Sequence, residues 1–215
     1  MPLYKTINFS RSVGTTTQIL VWKITESLSQ LCNEVTLNAT NTLRFNGMKS
    51  KLHQRAFLSV RKLLQEKNYT DFDLEYDEFG KPHLKDGKHI SISHSHEFST
   101  IIISNQKVGI DIELQREKII KIADKFVDYE FNFLDKTNQE NYIKKLTVIW
   151  GIKESVFKIY NEIGISFKNH IQAKSFEMKD QSGSAGLNFQ NKTELFSFHF
   201  EEIENFVLVY VFEKQ

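Results

Sequence analysis

The chain has 215 residues, 40% of them hydrophobic, with 28 Lys and Arg against 27 Asp and Glu and a formal net charge of +1. That length builds one large domain or two small ones with a sizeable core, and the charge balance disfavours a protein that coats nucleic acid. The lone Cys32 excludes an internal disulfide or a Cys-based zinc site and suits a reducing cytoplasm.

Residues 18–24 read as a strand, and Leu28, Leu31 and Val35 recur at helical spacing over 25–37. From Leu43 to Lys67 the chain carries Arg44, Lys49, Lys51, Arg55, Arg61, Lys62 and Lys67 against the single acid Glu66. On a wheel of about 100° per residue, Leu52, Ala56, Val60 and Leu63 form one apolar stripe. Lys51, Arg55 and Lys62 lie opposite, and Arg61 falls on the border. Residues 71–77 alternate, with Asp71, Asp73, Glu75 and Asp77 on one side and Phe72, Leu74 and Tyr76 on the other, which predicts a half-buried strand. Phe79-Gly80-Lys81-Pro82 predicts a turn.

Strand signals follow at 89–93, 100–105 and 107–113, then helical patterns over roughly 117–135 and 139–161. Strands at 194–200 and 206–212 close the chain around the stretch Ser182-Gly183-Ser184-Ala185-Gly186. The order is mixed α+β, without the strand–helix alternation of a doubly wound parallel sheet. No apolar run approaches the roughly 20 residues that span a bilayer, and the start MPLYKTINFSRS lacks a signal-peptide core. A cytoplasmic protein without a membrane or nucleic-acid partner is expected.

Three segments carry chemistry. In Val108-Gly109-Ile110-Asp111-Ile112-Glu113 a strand puts both carboxylates on one face. There they suit either open water or a cation such as Mg²⁺, which takes a few carboxylates and leaves its other positions to water and phosphate. In Trp150-Gly151-Ile152-Lys153-Glu154-Ser155-Val156-Phe157-Lys158, Glu154 and Lys158 are helical neighbours. As a plain surface pair they contribute about 0.3–0.5 kcal/mol. In Ile90-Ser91-Ile92-Ser93-His94-Ser95 the three serines share a face opposite Ile90, Ile92 and His94. Neither a G-x-S-x-G elbow nor a Walker-type phosphate loop occurs.

Taken in order, F-G-K-P at 79–82, I-S-H-S at 92–95, G-I-D-I-E at 109–113 and W-x-x-K-E-S-x-x-K at 150–158 resemble the 4′-phosphopantetheinyl transferases. The likeness is to the long, monomeric type that activates carrier proteins of peptide and polyketide synthases. It implies an α+β fold of two similar halves with pseudo-twofold symmetry, about 1–100 and 101–215, with coenzyme A between them. By the same resemblance Asp111, Glu113 and Glu154 match Mg²⁺ ligands, and Lys158 matches a lysine that meets the pyrophosphate. Lys81, Ser93 and His94 match positions around the adenine and phosphates of the coenzyme, and Arg61 matches a residue that holds its 3′-phosphate. Glu130, in D-Y-E-F-N-F-L, aligns with a proposed general base.

No proline lies between Pro2 and Pro82, so the family's proline-containing basic element has no counterpart by motif; Lys49, Lys51 or Arg55 stands in for it. Nothing beyond Lys158 matches a motif. The implied reaction is attack of a carrier serine on the β-phosphate of coenzyme A, releasing adenosine 3′,5′-bisphosphate. Glu154, Glu130 and a water on the metal are the candidate proton acceptors. Two other readings use the same residues: a non-catalytic binder of carrier protein or coenzyme A, and a Mg²⁺-dependent phosphohydrolase.

Overall fold

The computed structural model describes residues 3–9 and 16–214. It shows an α+β chain that divides into two compact units, one ending at Asn105 and the other starting at Gln106. A division after residue 100 would cut through a strand that runs Phe98–Ser104. The boundary instead falls in the bend that follows it.

The first unit holds strands β1 (Leu3–Phe9) and β2 (Thr17–Lys23), and helices α1 (Leu28–Glu34), α2 (Ala39–Asn46) and α3 (Lys51–Gln65). Strands β3 (Leu74–Tyr76), β4 (Pro82–Leu84), β5 (His89–Ser95) and β6 (Phe98–Ser104) follow. Four strands form an antiparallel sheet in the order β1-β2-β6-β5, and β3 pairs with β4 alone. Ser50 caps α3 by accepting the His53 N–H. The helix buries Ala56, Val60 and Leu63, with Leu58 and Leu64, against Leu20, Trp22, Ile90, Ile101 and Ile103 of the sheet. Leu52 lies outside this stripe at 42% exposure, so the buried face starts one turn later than the wheel implies.

The alternation over 71–77 does not produce a seven-residue strand. Thr70 and Asp73 cap a short 3-10 turn over Asp71–Asp73, and only Leu74–Tyr76 pairs with β4. Asp71 points inward, accepting from the Asn38 N–H at 2.8 Å, Asn41 Nδ2 at 2.9 Å and Arg61 Nε at 2.8 Å. These local hydrogen bonds outcompete the extended ladder. The tight turn lies two residues earlier than expected, over Asp77–Gly80, with the Gly80 N–H donating to the Asp77 carbonyl, and Pro82 already opens β4.

The second unit contains β7 (Val108–Leu114), α4 (Gln139–Tyr160), α5 (Phe167–His170), β8 (Ile171–Ala173), β9 (Ser182–Phe189), β10 (Lys192–Ile203) and β11 (Phe206–Glu213). Its sheet is antiparallel in the order β7-β11-β10-β9-β8. Helix α4 starts at the Asn138 cap and ends at Asn161 in the left-handed region, φ 53°. Its Leu146, Ile149, Ile152 and Val156 pack on Val207, Val209 and Val211 of β11 and on aromatic residues of β10. The helix expected over 117–135 is two 3-10 segments, Glu117–Lys125 and Tyr129–Phe133. Between them the backbone leaves the helical region at Phe126 (φ −132°, ψ −11°) and Asp128 (φ −140°, ψ −82°), and Phe126 and Val127 are both buried there. Among the described residues no helix is long and apolar enough to cross a membrane.

Candidate active site

Asp111 and Glu113 share the β7 face covered by α4, not a face open to water. Register explains it: Asp111 stands opposite Val209 of β11, which packs beneath α4. Two glycines make so close a cover possible. A Cβ at Gly109 would stand 1.9 Å from the Ser155 carbonyl oxygen of α4. A Cβ at Gly151 would lie 2.6 Å from Val209 Cγ2 and 3.7 Å from Asp111 Oδ2. Helix and sheet therefore meet backbone to backbone, and Asp111 is left only 3% exposed.

Lys158, one turn after Glu154, crosses from α4 to β7. Its Nζ donates to Asp111 Oδ1 at 2.8 Å and to the Ile110 carbonyl at 3.0 Å. Trp150 Nε1 donates to Glu113 Oε1 at 3.2 Å. Burial, aided by the negative charge of Asp111, pushes the Glu113 carboxyl up to about 7. The same two causes push Glu154 up to about 7 against the opposing pull of Lys158. The structure thus brings together Asp111, Glu113, Glu154 and Lys158, and Lys158 pairs with the strand carboxylate. Among the described residues, no group of three or more His, Cys, Asp or Glu side chains stands at metal-binding spacing. The donor chemistry nevertheless suits a divalent cation: the charge of Asp111 acts on both Glu113 and Glu154, and a positive ion would relieve that repulsion.

The other sequence-derived candidates have different surroundings. Glu130 has no exposed side-chain surface. Its Oε1 lies 2.8 Å from Lys153 Nζ and accepts the Ala173 N–H at 2.9 Å, while Oε2 accepts the Asp128 N–H at 3.3 Å. A carboxylate so enclosed is an internal ion-pair partner and cannot meet a protein serine as a base. Arg61 is likewise internal to the first unit at 2% exposure, held by Asp71 and by the Phe57 carbonyl, with its guanidinium 3.5 Å above the Phe57 ring. It presents no open face to a 3′-phosphate.

Lys81 enters β4 from the turn, and its N–H donates to Asp77 Oδ1. Ser93 is buried on β5 opposite Thr100, whereas His94 is exposed opposite Ser99 with its ring 6.1 Å from His53. Sequence reasoning assigned no role to Lys153, Trp150 or the two glycines, although all sit inside the quoted motifs. For Lys153 the available signal was a charge on the buried side of an amphipathic helix. For the glycines it was Gly in a strand and mid-helix, where each is unfavourable without a close contact.

Residues 107–211 match the family model of the 4′-phosphopantetheinyl transferase superfamily. The chain is 32% identical over 182 residues to the 4′-phosphopantetheinyl transferase gsp of Aneurinibacillus migulanus, covering 75% of this chain and 74% of that protein. It is 34% identical over 95 residues to the 4′-phosphopantetheinyl transferase Sfp of Bacillus subtilis (strain 168), covering 41% of each. A further 4′-phosphopantetheinyl transferase of Bacillus subtilis is 27% identical over 106 residues, 48% of this chain and 46% of its own. The extended likeness to gsp, joined to the family match over the unit that holds the carboxylates and Lys158, places this chain in the 4′-phosphopantetheinyl transferase superfamily, the enzymes that transfer phosphopantetheine to carrier proteins.

Proposed function

We propose that the donor is coenzyme A, that the acceptor is a serine hydroxyl of an apo acyl or peptidyl carrier protein, and that Mg²⁺ is required. The observation that carries this reading is the half-buried cluster in which Lys158 holds Asp111 at 2.8 Å beside two carboxyls pushed up to about 7. Such a cluster is poised to take positive charge and phosphate oxygens together. Asp111, Glu113 and Glu154 would hold the metal, which supplies charge neutralisation for the pyrophosphate when bound. Lys158 gives a fixed ammonium beside the same carboxylate, where negative charge grows on the leaving phosphate.

In the transfer, a bond forms between the serine Oγ and the β-phosphorus, and the bond from that phosphorus to the bridging oxygen breaks. Adenosine 3′,5′-bisphosphate leaves with the electron pair. With Glu130 sealed in the core, Glu154 is the remaining carboxyl proposed to receive the serine proton. Lys81, Ser93 and His94 are proposed to contact the coenzyme. The protein works as a cytoplasmic monomer in this reading; the free, exposed Cys32 suits a reducing compartment.

Incubation with coenzyme A, Mg²⁺ and a panel of apo carriers, followed by weighing of the carriers, tests it. Gain of a phosphopantetheine group on one carrier supports the transferase. Release of phosphopantetheine at the same rate without any carrier would instead establish a phosphohydrolase.

A further inference from the structure

Lys153 and Glu130 form an ion pair of 2.8 Å in which neither side chain has exposed surface. The pair is also a junction. Lys153 Nζ donates to the Phe167 carbonyl at 3.0 Å and to the Ile171 carbonyl at 2.7 Å, at the two ends of α5. Glu130 receives the Ala173 N–H of β8 and the Asp128 N–H. One buried pair thus ties α4 to the 128–130 segment, to α5 and to β8. Its presence asks for a reason besides stability, because a buried ion pair is often no better than apolar side chains of the same volume.

Lys153 immediately precedes Glu154 and lies five residues before Lys158 on the same helix. The contacts at Gly109 and Gly151 set how near α4 comes to the sheet, and apolar packing holds its inner face, but non-directional contacts oppose small sliding and rotation less sharply than hydrogen bonds do. Directional bonds converging on one ammonium resist both. We propose that the Lys153–Glu130 pair is a positioning device for transfer, holding α4 in the register that brings Glu154 and Lys158 to Asp111 and Glu113. This inference rests on reading those four residues as the transfer site.

The test compares wild type, Lys153→Met, Lys153→Met/Glu130→Gln and a Lys158→Ala control, each by thermal melt and by steady-state transfer to an apo carrier. Lys153→Met strands a buried carboxylate and should melt well below wild type. The double variant removes both charges and should recover most of that loss. Its kcat should nevertheless stay about tenfold to a hundredfold down, the scale of a misplaced catalytic group, with KM for coenzyme A within about twofold of wild type.

A double variant with wild-type melting and wild-type kcat would overturn the positioning role while an inactive Lys158→Ala leaves the site standing. Full activity in Lys158→Ala would remove the site, and the inference with it. Where the double variant shows no cooperative melt, Glu130→Gln is read in its place, since it preserves shape and changes only charge. A kcat loss with unchanged KM supports the tether there too, and an unchanged kcat overturns it.

Discussion

At Asp111 three effects meet: an ion pair to Lys158, 3% exposure, and a negative charge that adds to the larger effect of burial in holding two neighbouring carboxyls high. Asp111→Asn keeps the shape and removes the charge. Transfer should fall by a hundredfold or more, the scale of losing one preorganised electrostatic contact. The Glu113 and Glu154 titrations, followed by NMR, should move down from about 7 toward 4.5. Unchanged titration midpoints would disprove the shared field. The same shifts set a pH dependence. A folded-state carboxyl raised from 4.5 to about 7 keeps its proton longer than the unfolded chain does, so its contribution to stability declines as pH rises through that window. Glu154→Gln should therefore gain melting temperature relative to wild type between pH 4.5 and 7. A difference that does not vary with pH would contradict it.

Arg61 gives the opposite expectation. Its removal leaves Asp71 buried without its cation, so Arg61→Ala should cost on the order of 3–5 kcal/mol. Discrimination between coenzyme A and its dephospho form should be unaltered; a narrowed preference would reinstate the phosphate role. Period two was enough to put Asp111 and Glu113 on one face. It could not show that a helix covers that face, because cover depends on the contacts of Gly109 with Ser155 and of Gly151 with Val209, residues far apart in the chain. The wheel placed Arg61 on a border, and only the partner Asp71 turned that border inward.

At the scale of elements, long and strongly periodic segments were legible and short capped ones were not. Helix α4 matches the pattern over 139–161, and α3, β2, β5, β6, β7 and β11 match theirs to within a few residues. The misread segments are those where side chains satisfy the backbone locally, as Thr70 and Asp73 do, or where the backbone leaves the helical region, as at Phe126 and Asp128. Strand β1 alternates between half-buried and exposed positions, too weak a contrast to announce a strand. The small residues of 182–186 give no strand signal, yet they form part of β9, paired with β10. The packing of α4 on β7 makes its own prediction. Gly109→Ala forces a methyl into the Ser155 backbone, so it should lower the melting temperature and the transfer rate together. Wild-type behaviour in both would mean that the helix can lift without consequence.

For the whole molecule, family membership settles the class of reaction, and the second unit alone carries the proposed metal ligands together with Lys158. The central claim is that this charge cluster performs the transfer and is not an ornament of the helix surface. An exposed pair four residues apart would contribute a few tenths of a kcal/mol to stability and nothing to turnover. Transfer to an apo carrier, scored by carrier mass at saturating coenzyme A and Mg²⁺, should fall about a hundredfold or more in both Lys158→Ala and Glu154→Gln. Melts on the same samples should show both variants folded, with Glu154→Gln at or above wild type at neutral pH. Near-wild-type kcat in both folded variants would contradict the mechanism at its centre.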